Sequence, residues 1–333
     1  MTHRILLTGG AGFIGSHTYL ALVEAGYEVT ILDNFENAMR DVPERLQSIT
    51  GAPVPVITAD IRDAGQMSAA LGQGFDGVVH FAALKSVGDG EANPLGYYQS
   101  NCAGLMNVVQ AMEAHGVKKI VFSSSAAVYG ATDQMPITED TPLEPISVYA
   151  RTKVFGEDLL SAYSRANPDF HTGILRYFNP VGAHASGLIG EDPSQPPSNL
   201  MPVIARVANG QMEALQVFGN DYPTVDGTGV RDYIHVEDLA RGHVLSLDAL
   251  FKDGQGHLVN LGTGQGHSVL EMVAAYGKVS GRDIPYNILP RRPGDPATSF
   301  ADVTRAKDVL GFAAQHDLST MCASNWAFSR KEK

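Results

Sequence analysis

Residues 4–15 read Arg-Ile-Leu-Leu-Thr-Gly-Gly-Ala-Gly-Phe-Ile-Gly, and this stretch decides the fold. Its first five residues predict a short apolar strand, its glycines predict a tight turn, and the residues from Ser16 to Ala25 predict a helix. A second strand is predicted from Glu28 to Leu32, and it ends at Asp33, 18 residues after Gly15. Glycine spacing alone is common, but a strand, a glycine turn, a helix and an acid at the tip of the next strand are together typical of a dinucleotide-binding unit.

The chemistry of a bound dinucleotide explains these residue types. Gly9, Gly12 and Gly15 would let backbone N–H groups approach a pyrophosphate at the N-terminus of the helix. Asp33 can accept a hydrogen bond from a ribose 2′-hydroxyl and would repel a 2′-phosphate, so NAD is favoured over NADP. The sequence therefore predicts NAD as the cofactor.

The alternation of strands and helices continues through the first half of the chain. Further strands are predicted from Pro55 to Ala59, from Gly77 to Phe81 and from Lys119 to Phe122, with a long amphipathic helix from Pro94 to His115. Ligands of an open parallel sheet lie beyond the carboxyl ends of its strands, so Asp60, Phe81 and Lys85 should lie near the cofactor. Asp60 could also cap the following helix. The pattern predicts an α/β fold with a Rossmann-type doubly wound parallel sheet.

The composition indicates a compact globular enzyme without nucleic-acid or membrane partners. The 333 residues are 44% hydrophobic and 18% charged, and the formal net charge of -12 would repel a phosphate backbone or an anionic membrane. No stretch reaches the roughly 18 apolar residues of a membrane helix, and the first residues do not resemble a secretion signal. Cys102 and Cys322 lie far apart and the histidines show no ligand spacing, so neither a disulfide framework nor a metal site is predicted. A cytoplasmic location is expected.

Tyr149 and Lys153 lie four residues apart, which places both side chains on one face of a helix. There an ammonium favours the phenolate, lowers the pKa of the tyrosine and creates a general base for an alcohol proton. The spacing alone is weak, because many such pairs combine a core aromatic residue with a solvated lysine. Serines at 123–125 follow the fifth strand, where they would ordinarily be caps. A serine at this place, with a tyrosine and a lysine four apart on the next helix, resembles the short-chain dehydrogenase/reductase superfamily, which implies that Ser125 bonds the reacting substrate oxygen.

Two segments of the second half make the resemblance more specific. Residues 176–184 read Arg-Tyr-Phe-Asn-Pro-Val-Gly-Ala-His, and residues 229–236 read Gly-Val-Arg-Asp-Tyr-Ile-His-Val. With residues 9–17 and 123–130, they resemble the UDP-glucose 4-epimerase family, in the extended branch of that superfamily, from about residue 4 to residue 326. The resemblance implies an NAD-binding domain at 1–178, completed by segments around 230–265, and a smaller α/β C-terminal domain at 179–333 that mainly binds the UDP-sugar. It also implies a homodimer through the 94–115 helix and the helix of Tyr149.

The resemblance implies cofactor contacts residue by residue. Phe13 and Ile14 would lie at the pyrophosphate, and Asp33, Asn34, Asn37 and Ala38 around the adenosine ribose. Asp60 and Ile61 would lie at the adenine, Phe81, Ala82 and Lys85 along the cofactor, and Tyr149, Lys153 and Phe178 near the nicotinamide. Some relatives place an asparagine on the cofactor where this chain has Ser100, with Asn101 next to it, so that contact is left open.

The same resemblance implies which residues bind a UDP-hexose. They are Lys85, Ser125, Tyr149, Asn179, Asn199 and Leu200, with Phe218 against the uracil, Arg231, Tyr233, Arg292 and Asp295 around the ribose and diphosphate, and Ser299 near the sugar. Two arginines can neutralise the diphosphate in an otherwise acidic protein. Arg292 could instead be a surface arginine. Position 299 is filled with tyrosine or with a smaller residue in relatives.

These residues imply reversible C4 epimerisation of UDP-glucose and UDP-galactose. The C4 hydrogen is not acidic, so inversion requires oxidation: NAD would accept hydride while Tyr149, with Lys153 beside it, removes the hydroxyl proton. The transient 4-keto sugar would then turn and be reduced on its other face. Ser299 leaves room for an N-acetyl group at C2, so UDP-N-acetylglucosamine and UDP-N-acetylgalactosamine are expected substrates, unless Ser299 is merely a loop residue.

Two alternatives use the same fold. A dehydratase or decarboxylase of the extended branch would need an acid directly before Val128-Tyr129-Gly130, where this chain has Ala126 and Ala127. A catalytically silent NAD-binding sensor typically lacks the tyrosine, whereas the serine, tyrosine and lysine are all present here. The epimerase prediction is therefore favoured over both.

Overall fold

A computed structural model describes residues 2–192, 199–292 and 294–330. Its strands are β1 (Arg4–Thr8), β2 (Glu28–Asp33), β3 (Val56–Thr58), β4 (Gly77–His80), β5 (Lys119–Ser125), β6 (His171–Tyr177), β7 (Asn179–Val181), β8 (Leu215–Phe218), β9 (Val230–Arg231), β10 (Tyr233–His235), β11 (His257–Leu261), β12 (His267–Ser268), β13 (Tyr286–Leu289) and β14 (Thr298–Ser299). Its helices are α1 (Phe13–Glu24), α2 (Val42–Thr50), α3 (Ala64–Leu71), α4 (Val87–Ala92), α5 (Pro94–Tyr97), α6 (Gly104–Ala114), α7 (Val148–Ala166), α8 (Leu200–Ala208), α9 (Val236–Asp253), α10 (Val269–Ser280), α11 (Thr304–Leu310) and α12 (Leu318–Ser329). A π-helical turn, Tyr98–Ala103, joins α5 to α6, and a 3-10 turn, Ala126–Tyr129, follows β5.

Seven parallel strands form the central sheet in the order β11, β6, β5, β4, β1, β2, β3. The chain winds outward from β1 to β3 and then returns to β4 on the other side of β1. Ligands of such sheets bind at this reversal, beyond the carboxyl ends of the strands. The predicted Rossmann-type sheet is confirmed. β3 is shorter than predicted and β5 extends three residues further, to Ser125.

Alternate residues of each strand pack against helices on opposite faces of the sheet. In β1, Ile5 and Leu7 belong to the core layer that contains α1 and α9, whereas Leu6 belongs to the layer that contains α3 and α6. All three side chains are fully buried. Burial of one such side chain stabilises the fold by about 1.5–3 kcal/mol, so the two layers hold the strand ends firmly in place.

The predicted helix from Pro94 to His115 is interrupted by the π turn. This turn places Asn101 against the loop after β4, where its side chain bonds the backbone N–H (2.8 Å) and C=O (2.9 Å) of Leu84. Gly104 then packs on Ile61, since a Cβ at Gly104 would lie 2.6 Å from Ile61 Cδ1. The predicted long helix is confirmed in its extent, from Pro94 to Ala114, whereas the π turn within it, which adds one residue to the helical repeat, was not predicted.

The second half of the chain adds small sheets and a separate core. β7 pairs with β10, β9 pairs with both β12 and β14, and β8 pairs with β13. α8, α10 and α12 enclose a core that includes Ile204, Tyr276 and Met321. β11 and α9 return to the central sheet from the range predicted to complete the NAD-binding domain, although the domain bounds themselves stay a prediction. None of the helices in the described part of the chain has the length and apolar character needed to cross a membrane.

Candidate active site

The glycine turn between β1 and α1 is too tightly packed for side chains at two positions. Gly9 has a φ of +70°, and a Cβ there would lie 2.6 Å from Ala82 N. A Cβ at Gly15 would lie 2.3 Å from the carbonyl oxygen of Gly9. Gly12 is the N-cap of α1, and as a glycine it has no side chain to cap the backbone N–H groups of the first helical turn, which contains Phe13 and Ile14. This turn fits a pyrophosphate, which requires close backbone approach and N–H donors.

Asp33 is held at the tip of β2 by two backbone amides. Its Oδ2 accepts a hydrogen bond from Ala11 N in the glycine turn at 3.0 Å, and its Oδ1 accepts one from Phe35 N at 2.9 Å. Burial raises the pKa of this carboxyl, and the backbone hydrogen bonds oppose the rise. Each carboxylate oxygen keeps a further acceptor position, so Asp33 can still bind a ribose hydroxyl. Asn37 and Ala38 follow in the same surface segment.

Asp60 lies beside Asn34 at the next strand end. Arg62 Nη2 approaches its Oδ2 to 2.6 Å, and Asn34 Nδ2 donates to the same oxygen at 3.0 Å. Hydrogen bonds from Arg62 and Asn34 lower the pKa of Asp60 to about 2. The N-cap of α3 is Asp63, whose side chain accepts from Gln66 N, so the capping interpretation of Asp60 is wrong. Two aspartates precede this helix, and the sequence pattern did not distinguish them.

The loop after β4 contains residues predicted to contact the cofactor, and it reaches a residue predicted to contact the UDP-sugar. Phe81 and Ala82 donate their backbone N–H groups to the last carbonyl of β1, at 2.9 and 3.2 Å. Lys85 Nζ lies 3.2 Å from Glu191 Oε1, and Asn199 Nδ2 donates to the same oxygen at 2.5 Å. Sequence reasoning missed Glu191, because a single acid in a loop has no spacing signal. Its side chain is only 7% exposed, so it joins a predicted cofactor contact to a predicted sugar contact in a partly desolvated place.

Ser125, Tyr149 and Lys153 converge at the carboxyl end of β5. Ser125 ends that strand, and the other two residues lie in the first turns of α7. The Ser125 hydroxyl lies close enough to Tyr149 to lower the pKa of the phenol. Lys153 Nζ lies 5.8 Å from the centre of the Tyr149 ring and donates to Ser123 O at 2.6 Å. The three predicted catalytic residues therefore share one place in the fold.

The pKa values at this place are governed by burial. Burial raises the pKa of Tyr149, and the nearby Ser125 hydroxyl opposes only part of the rise. Burial also lowers the pKa of Lys153 to about 8, against the attraction of Glu157. The prediction that Lys153 lowers the pKa of Tyr149 is therefore wrong for the chain by itself, because desolvation outweighs its neighbours. Ionisation of Tyr149 near neutral pH needs a further positive charge beside the phenol.

A buried ion pair supports α7 beneath these residues. Glu157, one turn after Lys153, accepts from Arg176 Nη2 at 2.6 Å and from Arg176 Nε at 2.9 Å. Ser124 Oγ donates to Glu157 at 2.5 Å, and Arg176 Nη1 donates to Tyr129 OH at 2.9 Å. The side chains of the pair are only 4% and 5% exposed. Sequence reasoning missed this network, because its members lie on a helix, two strands and a turn that meet only in the folded chain.

β9 and β14 bring three of the predicted sugar-nucleotide residues together. Arg231 Nη2 lies 2.8 Å from Asp295 Oδ1, and Ser299 lies opposite Arg231 in the pairing of β14 with β9. The carbonyl of Ser299 accepts from the backbone N–H of Asp232 at 3.0 Å. The interpretation of Ser299 as a loop residue is therefore wrong, whereas its role as a size gate stays a prediction.

The pairing of β10 with β7 positions two further predicted residues. Tyr233 lies opposite Asn179 in this pair. Phe178, which links β6 to β7, is buried and donates its backbone N–H to Leu261 O in β11 at 3.1 Å. Leu200 begins α8 directly after Asn199 and is half-buried. Phe178 and Asn179 directly follow β6 at the carboxyl end of the central sheet, and the binding roles of all these residues stay predictions.

Arg292 stacks on Phe218, the last residue of β8. Its guanidinium carbon lies 3.8 Å from the centre of the phenyl ring. Arg292 is exposed, as expected of a surface arginine, but the stacking contact gives its side chain a defined position. A planar base and a diphosphate would find an aromatic face and a cation together here.

The fold and the arrangement at β5 define a class of protein, a Rossmann-type α/β enzyme with a Ser-Tyr-Lys site beside its dinucleotide turn. A family model described as the NAD dependent epimerase/dehydratase family matches residues 5–262. The chain belongs to this family. It is 51% identical to a UDP-glucose 4-epimerase of Bacillus subtilis, over 97% of this chain and 95% of the relative.

Two solved structures share the fold over nearly the whole chain. A UDP-glucose-4-epimerase from Stenotrophomonas maltophila, with bound NAD and formylated UDP-arabinopyranose, is 49% identical, with a TM-score of 0.97 and 98% of both chains covered. A UDP-glucose 4-epimerase from Bifidobacterium longum, in complex with NAD+ and UDP, is 47% identical, with a TM-score of 0.95 and with 99% of this chain and 98% of the other covered. These comparisons confirm the predicted family, the fold class and the prediction of an NAD-dependent epimerase.

Proposed function

We propose that this chain interconverts UDP-glucose and UDP-galactose by inverting the sugar C4 through a transient 4-keto sugar. The observation that carries the proposal is the convergence of Ser125, Tyr149 and Lys153 at the end of β5, on the sheet whose glycine turn fits a dinucleotide. NAD, when bound, supplies the hydride acceptor and a positive charge near the phenol. The chain's own residues then supply proton transfer and orientation.

Tyr149 is the proton-transfer residue in this proposal. Its side chain is half-buried and lies close to Ser125, so an incoming C4 hydroxyl can approach both hydroxyl groups. Lys153, whose pKa is lowered to about 8, still carries its proton on a large share of molecules at neutral pH and so favours the phenolate. Ser125 would hold the C4 oxygen in place as its proton leaves and later returns.

Arg231 and Arg292 are the proposed anchors of the diphosphate. Arg231 is already oriented by Asp295, and Arg292 is oriented by its stacking on Phe218. A chain with a formal net charge of -12 needs such local cations to bind an anion. A fixed diphosphate would allow the 4-keto sugar to turn while the nucleotide remains bound.

Dehydration and decarboxylation are disfavoured by the residues next to Ser125. Ala126 and Ala127 form the 3-10 turn that directly follows the serine, and neither can protonate a leaving hydroxyl. The backbone N–H of Ala127 instead donates to Ser125 Oγ at 3.2 Å. This turn orients the serine and adds no acid.

One observation favours a wider substrate range that includes the N-acetylated pair. The small side chain of Ser299 is half-buried, and its backbone is fixed opposite Arg231. A serine there leaves space that a bulky residue would fill, and shape exclusion is the main device against a larger substrate. We therefore propose that UDP-N-acetylglucosamine and UDP-N-acetylgalactosamine are also interconverted.

An assay of the purified chain without added nucleotide tests the main proposal. UDP-galactose is supplied, and the formation of UDP-glucose is followed by chromatography. The expected result is turnover without external NAD, because each cycle regenerates the bound cofactor. Tyr149→Phe serves as the matched control and should be nearly inactive. Absence of turnover by the unaltered chain, even with NAD supplied, would refute the proposal.

We also propose a homodimer through the 94–115 segment and α7. Apolar side chains stand exposed on this segment: Leu95 is 76% exposed, Tyr98 41% and Met106 40%. Exposed apolar side chains grouped on one segment are typical of an interface between chains. Light scattering should give the mass of two chains, and Leu95→Glu combined with Met106→Glu should shift it to one. A single-chain mass for the unaltered protein would contradict the dimer.

The proposed location is the cytoplasm. Cys102 and Cys322 are free and buried, which is compatible with a reducing compartment. Cell fractionation of the source organism would test this, since recovery in a secreted or membrane fraction would contradict it.

A further inference from the structure

The Glu237 carboxylate, in the first turn of α9, lies between three imidazoles outside the catalytic residues. His316 Nε2 lies 3.7 Å from its Oε2, His235 Nδ1 lies 3.8 Å from the same oxygen, and His184 Nε2 lies 4.0 Å from its Oε1. These separations are longer than hydrogen bonds. The carboxylate is therefore surrounded by the three rings without being bonded to them.

The tautomer of His316 leaves its inner nitrogen free to bind a ligand. Its Nδ1 lies 3.0 Å from Asp238 Oδ2, and a carboxylate can only accept, so Nδ1 carries the proton. The Asp238 side chain is 1% exposed and also accepts from the backbone N–H groups of Gln315 and His316, each at 2.9 Å. In the neutral ring, Nε2 then presents a lone pair toward Glu237. A carboxylate that fixes the outer nitrogen of a histidine is a common support in metal sites.

His235 also presents an unprotonated nitrogen to this cluster. Its Nδ1 accepts the backbone N–H of Glu237 at 3.1 Å, so the proton is on Nε2, which lies 2.9 Å from Ser324 Oγ. An ion at Nδ1 would replace the helix-capping bond and keep the bond to Ser324. The ring stacks on His316 with the centroids 4.3 Å apart, which holds both imidazoles on one side of the carboxylate.

The size of the cluster fits one small cation after a limited contraction. Ligand atoms of His235, Glu237 and His316 all lie within 4.8 Å of one another. Zinc bonds of about 2.0–2.2 Å in tetrahedral geometry place ligand atoms roughly 3.4 Å apart. The Glu237 oxygen, at 3.7 and 3.8 Å from the two nitrogens, is already near this spacing, and its side chain is 30% exposed and flexible. The two imidazole nitrogens must approach each other by at most about 1.4 Å, a movement that the partly exposed His316 can supply. The 28% exposure of His316 provides access from solvent.

We propose that His235, Glu237 and His316 form a binding site for a divalent transition-metal ion of the zinc type. Two imidazoles and one carboxylate suit zinc, nickel or cobalt, whereas calcium and magnesium prefer oxygen ligands throughout. The ion would tie the start of α9 to the segment before α12, and so would join the central sheet to the C-terminal core. Sequence spacing does not indicate the site, because His316 lies far along the chain from the other two residues.

Titration calorimetry on the chelator-treated chain tests the site with zinc chloride as the probe. The expected result is saturable binding of one ion per chain, and Glu237→Gln should weaken it at least about tenfold. His316→Asn should weaken binding to the same extent. His115→Asn is the matched control, because it removes an exposed histidine elsewhere and should leave binding unchanged.

Two further measurements separate a built site from surface binding. Cobalt(II) should give visible ligand-field absorption with the unaltered chain, and this absorption should be lost in Glu237→Gln. Zinc should raise the thermal unfolding midpoint of the unaltered chain, and a chelator should reverse this increase. Epimerase activity should be the same in Glu237→Gln, because no catalytic residue contacts the cluster. The proposal is overturned if no saturable binding occurs below about 100 µM zinc, or if both variants bind as tightly as the unaltered chain.

Discussion

Replacing Ser299 with tyrosine should separate the two proposed substrate pairs. The backbone at this position has little freedom to move, because the Ser299 carbonyl accepts from Asp232 N at 3.0 Å and the next carbonyl, that of Phe300, accepts from Ile137 N at 2.9 Å. Ala301 N, two residues on, donates to Asp232 Oδ2 at 3.1 Å. A phenol ring introduced at Ser299 must therefore occupy side-chain space, since the strand cannot retreat.

The loss of catalytic efficiency in Ser299→Tyr should be greater for the larger, N-acetylated substrate. Forcing extra atoms into a packed site costs about 1–3 kcal/mol. At 1.36 kcal/mol per factor of ten, kcat/KM for UDP-N-acetylgalactosamine should decrease by about 5- to 150-fold. UDP-galactose lacks the acetamido group, so its kcat/KM should stay within about threefold of the original value.

Both ratios can be measured with a coupled assay on one preparation of Ser299→Tyr. Ser299→Cys is the matched control, because a thiol is close in size to a hydroxyl and should leave both activities in place. The unfolding midpoints of the variants would show that each is folded. Equal losses on the two substrate pairs would refute the size-gate reasoning, and so would unchanged activity on the acetylated pair.

Three other predictions concern proton transfer, the buried ion pair and pH. Tyr149→Phe should lower kcat by about 10²- to 10⁴-fold while the NAD released on denaturation stays unchanged; a loss below tenfold would contradict the general-base role. Arg176→Met should lower the free energy of unfolding in denaturant by about 3–5 kcal/mol, because Glu157 would be left charged and buried. Adding Glu157→Leu should recover most of that loss. A decrease below about 1 kcal/mol in the single variant would contradict this. Burial lowers the pKa of four histidines to about 3 or 4, and they are His17, His80, His235 and His243. In the unfolded chain these histidines bind protons near their ordinary pKa of about 6.5, whereas in the folded chain they stay neutral until a much lower pH. The free energy of unfolding should therefore decrease by about 1.4 kcal/mol per histidine between pH 7.5 and pH 5.5. A free energy of unfolding that stays constant over this range would contradict the prediction.

The parts of the fold set by local sequence were predictable. The glycine turn, the strands around it and Asp33 lie within one continuous stretch, and the structure places them as expected because each signal and its partner are neighbours in the chain. Asp60 shows the limit of such signals, since two aspartates precede α3 and only the folded structure reveals that Asp63 is the cap.

The parts that depend on distant contacts were not predictable from the pattern. The π turn has no periodic signature, and it is accompanied by the bonds between Asn101 and Leu84. Glu191, the Glu157–Arg176 pair and the cluster around Glu237 are assembled from separate elements, so no spacing rule finds them. The pKa of Tyr149 was predicted in the wrong direction, because spacing shows the nearby lysine but not the degree of burial.

The pairing of β11 with β6 ties the second half of the chain into the central sheet. It sets residue 257 opposite residue 173, so the central sheet cannot be completed until the chain has been synthesised past β11. Parallel pairings between such distant positions form slowly, because the loop between them must close first. A nascent or truncated chain that ends before β11 would leave β6 as an open edge with unpaired backbone groups, which can associate with other chains. The central sheet of the N-terminal half is therefore completed only by a strand that is encoded late in the sequence.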